Sequence, residues 1–334
     1  MSKSGEISSL VFAEHLSGLI EELDDEAFIN FFNTILEKYD IDSKALLQAT
    51  NEYTKNKTQK NLEIISQLSE PRWRELFRRL NSIPEGTLKL VRLRERIRSL
   101  KKDSNNLQFF DRSLLILFKY WFNPSFLVLE NIDWTTPASI LEKIIAYEAV
   151  HEINSWDDLR ARLAPEDRRC FAFFHPLIPN EPLIFVEVAL SKNMPESINE
   201  VIKIDRSVTL DEDINTAIFY SISNCQEGLS GISFGNFLIQ KVAQKLRQEN
   251  DGLDTFATLS PVPGFSKWLD KKSIDEYRDE DALLKQALIY LLKSDRDDGL
   301  PNDPVAKFHL GNGAILERIN LNADLSSKGI NQSK

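Results

Sequence analysis

The residues best suited to chemistry in this chain lie between Thr216 and Gly313. Thr216-Ala-Ile-Phe-Tyr-Ser-Ile-Ser223 has the β-branched and aromatic content of a strand, and a loop with Gly228, Gly231 and Gly235 follows it. The run 234–247 then places Phe234, Leu238, Val242 and Leu246 at helical spacing. A helix N-terminus reached through glycines presents backbone N–H groups to an anion such as a pyrophosphate. The loop is neither a P-loop, having no Gly-Lys-Ser/Thr, nor a GxGxxG fingerprint, so an ordinary glycine-rich turn is the alternative. The second candidate is Ser260, in Leu259-Ser-Pro-Val-Pro-Gly-Phe265 at the end of an expected strand over 255–260. Two prolines and a glycine stiffen that loop and limit misplacement of a catalytic group. No G-x-S-x-G surrounds Ser260, so it is no nucleophile elbow, and a turn serine bonding its own backbone is the plainer reading. The third is His309 in Val305-Ala-Lys-Phe-His-Leu310, where helical spacing turns Val305 and Phe308 inward and leaves His309 at the edge. It is either an acid–base group or a structural histidine. His15 lies among acids on a helix, and His151 and His175 read as structural. No two histidines share metal-ligand spacing.

These groups need a scaffold, and the chain divides into two. Residues 1–148 read as a helical domain, with apolar periodicity over 7–23, 28–39, 43–53, 62–68, 72–80, 87–100, 107–122 and 137–149. In the first helix Leu10, Val11, Phe12, Leu16, Leu19 and Ile20 form the expected apolar stripe. The most apolar run, 107–122, is the expected centre of the bundle and stops at Asn123-Pro124. The arginines from Arg72 to Lys102, Arg94 among them, read as a solvated face pairing with local acids, or as an interface with an acidic partner. Residues 149–334 read as mixed α/β, with strands at 170–174, 183–190, 216–223, 255–260 and 314–319. Asp303 before Pro304 is a helix start, and Gly311-Asn312-Gly313 its end.

Composition narrows the function classes. Forty-one basic against 51 acidic residues give a net charge of -10, a poor balance for binding nucleic acid. No uninterrupted apolar run reaches the ~18 residues of a membrane helix. The opening Met1-Ser-Lys-Ser-Gly-Glu lacks a signal-peptide core, and two cysteines, Cys170 and Cys225, fit a reducing, cytoplasmic setting.

Several ordered segments together resemble the malonyl-CoA decarboxylase family. They are Tyr147-Glu-Ala-Val-His-Glu-Ile-Asn-Ser-Trp156, Arg168-Arg169-Cys170-Phe171, Ala217-Ile-Phe-Tyr-Ser-Ile-Ser223, Gly228-Leu-Ser-Gly-Ile-Ser-Phe-Gly235 and Leu259-Ser-Pro-Val-Pro-Gly-Phe265 with Lys267-Trp268-Leu269. Asp303-Pro-Val-Ala-Lys-Phe-His-Leu-Gly-Asn-Gly-Ala314 completes the set, and Asn123-Pro-Ser-Phe126 matches in the first half. The resemblance implies a helical domain, often an oligomerisation element forming dimers or tetramers, followed by a catalytic domain similar to acyl-CoA N-acetyltransferases. It implies that Ser230, Gly231, Ile232, Ser233, Phe234, Gly235 and Asn236 hold the CoA pyrophosphate and that Ser260 and His309 are the catalytic pair. Malonyl-CoA is a β-carboxy thioester whose own carbonyl accepts the electrons released with CO2, so no cofactor or metal is expected. His309 would protonate the carbanion, Ser260 would bond the carboxylate or serve the proton path, and backbone N–H groups near Asn224 would meet the enolate oxygen. The alternatives are an acyl-CoA-dependent acyltransferase, a non-catalytic CoA-binding protein, and a serine hydrolase requiring a third residue to orient His309. Family members usually continue past the Asn-Gly-Ala segment, whereas this chain stops at Gly329-Ile-Asn-Gln-Ser-Lys334; if such a tail closes the site, either this protein is weak or specialised or the chain is a shortened product.

Overall fold

The computed structural model describes residues 6–272, 279–292 and 299–333. Residues 1–5 and 334, at the outer limits of the two expected domains, lie outside that range. The chain forms two compact units, one of residues 1–127, 175–179 and 226–232, the other of 128–174, 180–225 and 233–334. The first division falls at Leu127/Val128, earlier than the expected 148/149, and the helix that precedes residue 148 packs in the second unit.

The first unit is helical: α1 (Glu6–Glu22), α2 (Asp25–Tyr39), α3 (Ser43–Lys55), α4 (Gln59–Leu68), α5 (Trp73–Asn81), α6 (Gly86–Leu100) and α7 (Asn105–Trp121). The starts are set by short polar side chains that accept from the first-turn N–H groups: Asp24 from Ala27 at 2.8 Å, Asp42 from Ala45 at 3.1 Å, Thr58 from Asn61 at 3.2 Å and Ser104 from Leu107 at 3.3 Å. The α7 ring of Phe110 meets Phe32 at 4.7 Å, Trp73 at 5.3 Å and Phe77 at 6.0 Å between centroids, which makes α7 the centre of this core. The expected α1 stripe is corrected. Ala13, Ser17 and Ile20, four and three residues apart, form its buried face, while Val11, Phe12 and Leu19 face outward. The basic stretch mostly pairs at the surface, as with Arg79–Glu75 and Arg96–Asp25, both 2.8 Å. Arg94 departs from that reading, because it is 1% exposed.

The second unit holds a five-stranded sheet in the order β1 (Val128–Asn131), β2 (Arg168–Phe174), β3 (Ile184–Ser191), β4 (Thr216–Asn224), β5 (Thr255–Thr258). The first four strands are antiparallel neighbours and β5 runs parallel to β4. Around them stand α8 (Ala138–Tyr147), α9 (Trp156–Leu163), α10 (Ile198–Ile202), α11 (Gly235–Glu249), α12 (Phe265–Lys271), α13 (Glu280–Leu292), α14 (Pro304–Gly311) and α15 (Ser327–Ser333). One face of the sheet packs Cys170, Ala172, Phe174 and Phe185 under α8 and α9. On the other, Phe173 stacks on Phe237 of α11 at 5.4 Å. The four-residue β1 and the helices α9, α10, α12, α13 and α15 were not expected from the sequence. The expected strand at 314–319 does not form: these residues have no strand partner, Ile315 is exposed, and Arg318 instead bonds the carbonyls of Met194 and Pro195 at 3.2 and 2.8 Å. Alternating residues become a strand only where a neighbour completes the ladder. Among the described residues no helix is long and apolar enough to cross a membrane.

Glu187, fully buried on β3, bonds Arg162 of α9 at 3.0 Å. Burial raises its carboxyl to about 7 against the opposing pull of Arg162. A folded-state carboxyl above its unfolded value binds its proton more tightly when folded, so stability falls as pH rises from about 4.5 to about 7. Glu187→Gln should therefore resemble the parent near pH 4.5 and gain on it by pH 8, as read by urea unfolding at both. A parallel pair of curves would refute the buried-proton account.

Candidate active site

The site is built where β4 and β5 part. Their parallel ladder pairs Thr216 with Thr255 through to Phe219 with Thr258, and Leu259 N–H then donates to Phe219 O at 3.0 Å. The register with β3 pairs Glu187 with Ser221 but Val188 with Phe219, leaving Tyr220 as the extra residue of a bulge. A bulge increases local twist and ends regular pairing. Beyond it β4 runs on to Asn224 while the other chain leaves through Ser260 into the Pro261–Gly264 turn. Ser260 is exposed at that exit.

His309 comes from α14. Asp303 caps this helix by accepting from Val305 and Ala306 N–H, both at 2.9 Å, with Pro304 at its first position. Gly313, at φ 89°, lets the chain turn back so that Ala314 N–H bonds His309 O at 3.1 Å. The imidazole Nε2 lies 3.3 Å from Ser260 Oγ. The two residues, 49 apart in sequence, thus meet. Burial lowers the His309 pKa below the ordinary imidazole value, which keeps the ring neutral at pH 7. Among the described residues no carboxylate bonds this ring, so a Ser-His-acid triad is not assembled.

The glycine loop is gripped from both ends. Its first part, 226–232, folds within the helical unit. Arg94 of α6 reaches Gly228 O at 2.6 Å and Ser230 O at 2.9 Å, and its guanidinium is held by Asp111 at 2.9 Å. Burial acts to raise the Asp111 carboxyl, but the Lys101 bond and the charge of Arg94 bring it below the usual carboxylate range. Gly231, at φ 90°, needs its left-handed backbone, and Leu115 lies 3.3 Å from where a Cβ would sit. Ser233, Phe234, Gly235 and Asn236 belong to the sheet unit and open α11, whose N-terminus carries no side-chain cap. A Cβ on Gly235 would approach Phe308 Cζ to 2.8 Å, so α11 begins against the residue preceding His309. The structure therefore brings Gly235, Ser260 and His309 into one region of the sheet unit, and anchors Ser230, Gly231 and Ile232 through the helical unit's own residues. The proposed donors near Asn224 are narrowed: Cys225 N–H is engaged by Leu183 O at 3.0 Å.

Sequence reasoning missed Arg94 and Asp111 as anchors of this loop. The signal was there, since Leu90, Val91, Arg94 and Ile97 share one helical spacing and Arg94 falls on the apolar side. His175 is structural, accepting from Leu177 N–H at 3.2 Å with its other nitrogen 3.2 Å from Trp121 O. His151 is buried 3.9 Å from Asp324. Among the described residues no group of three or more His, Cys, Asp or Glu side chains is placed to hold a metal.

Comparison with known proteins gives one family. The malonyl-CoA decarboxylase C-terminal domain profile matches residues 125–286 and 276–334, and the N-terminal domain profile matches 39–122. Malonyl-CoA decarboxylase, mitochondrial, of Anser anser anser is 34% identical over 311 residues, covering 78% of this chain and 62% of its own length. The Rattus norvegicus protein of the same name is 33% identical over 314 residues, covering 79% of this chain and 64% of its own. The chain thus spans less than two thirds of these curated relatives. The crystal structure of malonyl-CoA decarboxylase from Rhodopseudomonas palustris superposes with a TM-score of 0.91 at 42% identity, covering 99% of this chain and 87% of that one. That from Agrobacterium vitis gives 0.91 at 43%, covering 99% and 88%.

The burial of His309 is measurable without substrate. One imidazole NMR signal, absent in His309→Ala, should titrate below the usual value of roughly 6.5. Gly235→Ala, which pushes on Phe308, should move that midpoint back upward; an unmoved midpoint would separate α11 from the His309 environment.

Proposed function

The chain belongs to the malonyl-CoA decarboxylase family, and on that premise we propose that it converts malonyl-CoA and a proton to acetyl-CoA and CO2. The observation that carries this reading is the 3.3 Å approach of Ser260 Oγ to His309 Nε2 at the parting of β4 and β5. In the reaction the bond between the α-carbon and the carboxylate breaks, its electron pair passes into the thioester carbonyl as an enolate, and the α-carbon then takes a proton. Orientation of the carboxylate out of the thioester plane is required for that overlap. His309 supplies the proton and Ser260 bonds the departing carboxylate or relays the proton. Partial burial lowers the pKa of the free imidazole; a malonyl carboxylate beside it would raise that pKa and load the proton that the product consumes. Loss of CO2 removes that charge and favours release of the proton to carbon.

The CoA moiety is assigned to residues 230–236. Support comes from the uncapped α11 N-terminus, the left-handed Gly231 and the hold of Arg94 on the Gly228 and Ser230 carbonyls, which fixes the backbone before a ligand arrives. We assign self-association, as dimer or tetramer, to the helical unit, where Val11 and Phe12 of α1 are 61% and 63% exposed. The free, buried thiols of Cys170 and Cys225 support a reducing, cytoplasmic setting.

The deciding assay supplies malonyl-CoA to the purified chain and follows acetyl-CoA and CO2. Equal amounts of both are expected, with kcat falling about 10²- to 10⁴-fold in His309→Ala and Ser260→Ala and CoA affinity little changed. Gly231→Val should instead weaken CoA binding. CoA binding without CO2 would identify a binding protein, and acyl transfer to an added amine an acyltransferase; undiminished kcat in His309→Ala would remove it from the mechanism.

A further inference from the structure

Asp303 is wholly buried, and its two carboxylate oxygens serve different elements. Oδ1 caps α14, the helix that carries His309. Oδ2 lies 3.3 Å from the Tyr290 hydroxyl of α13 and accepts from Gly264 N–H at 3.4 Å, in the turn that begins at Ser260. The Tyr290 ring is fixed between Phe265 and Trp268, at 5.6 and 5.4 Å between centroids. Gly264 is required there for space, since a Cβ would run into the Tyr290 hydroxyl. Burial and the neighbouring Asp303 charge both raise the Tyr290 pKa, so its hydroxyl keeps the proton it donates. The helix α14 is eight residues long and buries none of its side chains fully. A helix so short is not held by its own backbone bonds, so its position depends on what grips its ends.

We propose that Asp303 and Tyr290 are positioning residues: the buried carboxylate joins the Ser260 turn to the His309 helix and sets the distance between Oγ and Nε2. The inference rests on the catalytic roles proposed above. Neither residue reaches the reacting atoms; each acts through Ser260 and His309. Tyr290 supplies the donor, its ring supplies rigidity, and Gly264 makes the close approach possible. Asp303 accepts from backbone on both sides of the joint.

Tyr290→Phe removes one hydroxyl and keeps the packed ring, so it should fold. Its kcat for malonyl-CoA should fall about 10- to 100-fold with KM and CoA affinity within about twofold, the pattern of a misplaced catalytic group. In the His309→Ala background the same change should cost no further activity, whereas a general loss of stability would lower both backgrounds alike. Asp303→Asn keeps the capping oxygen but turns an amide toward two donors; adding Tyr290→Phe removes one of those donors and should restore part of the loss. A second measurement is independent of turnover. Ser260→Ala should shift the His309 imidazole NMR signal in the parent and leave it in place in Tyr290→Phe. Parent-like kcat in Tyr290→Phe, an equal loss in the His309→Ala background, or an unaltered Ser260 effect on the signal would each overturn the proposal. A parent that releases no CO2 would instead sink the decarboxylase reading, and the NMR result would still decide the joint.

Discussion

The parallel pairing of β5 with β4 is the constraint from which the site follows. A parallel pair cannot be closed by a tight turn and needs a crossover, here α11 with its entry loop. That requirement explains why a long glycine-bearing segment lies between β4 and β5, and why α11 starts close to the C-terminal end of β4. The ladder itself is short, ending at Phe219 and Thr258. The segment after β5 therefore leaves the sheet while β4 stays paired with β3 as far as Asn224, at the C-terminal ends where open α/β sheets place their ligands. The bulge at Tyr220 lies at the same point, where the register of β4 with β3 shifts just past the end of the β5 ladder. Ser260 is exposed because its strand has run out, and His309 finds it because α14 returns to that gap.

Buried and half-buried carboxylates hold the irregular segments that strands and helices leave behind. Glu148, just past α8, accepts from Val150 and His151 N–H, both at 2.8 Å, and from the Ser221 hydroxyl at 2.7 Å, fixing the post-bulge half of β4 to the segment after α8. Asp167 accepts from Thr209 N–H at 2.9 Å and from Arg206 at 2.6 Å, tying down the long connection into β4. The Arg206 bond and the Thr209 N–H outweigh the burial that would raise its carboxyl. Asp303 is the third instance, with two backbone donors on one oxygen. An ionised acceptor that takes two or three N–H or O–H bonds satisfies several donors at once in a low-dielectric interior. Part of the acidic composition is therefore structural and inward-facing, not a field presented to partners.

The helical half was legible because its signals are local. Caps such as Asp24 and Thr58 and the apolar spacing of α7 are written within a few residues of where they act. The strands β2, β3 and β4 were legible for the same reason, being continuous runs of β-branched or aromatic residues buried on both faces. The run 314–319 has the same local character and is not a strand, because pairing is decided by a partner elsewhere in the chain. In α1 the apolar residues occupy more than one face, and only packing selects Ala13, Ser17 and Ile20 over Phe12. Among the site residues, Ser260 and His309 could be named from their motifs, but their meeting depends on the β4–β5 gap. Arg94 was read as one of a basic series although its spacing marked the apolar side. The second oxygen of Asp303 had no signal, since Tyr290 and Gly264 are distant in sequence and ordinary in type.

The glycines show how short elements are held in place by close approach. Gly231 alone among those in the loop and the Ser260 turn has the left-handed backbone; Gly228, Gly235 and Gly264 are there for want of a Cβ. Each faces a part of the site's support: Gly228 the carbonyl of Val91, Gly235 the ring of Phe308, Gly264 the hydroxyl of Tyr290. A glycine weakens a local element by roughly 0.5–1 kcal/mol relative to alanine, so each would be a liability if flexibility were its purpose. Close approach offsets that cost. It lets Arg94 reach the Gly228 carbonyl, seats α11 against the residue before His309, and admits Tyr290 to the Asp303 carboxylate. Within the sheet unit, Gly235 and Gly264 thus bring backbone near enough to be fixed by ring packing and hydrogen bonds one layer behind the 3.3 Å approach of serine to histidine.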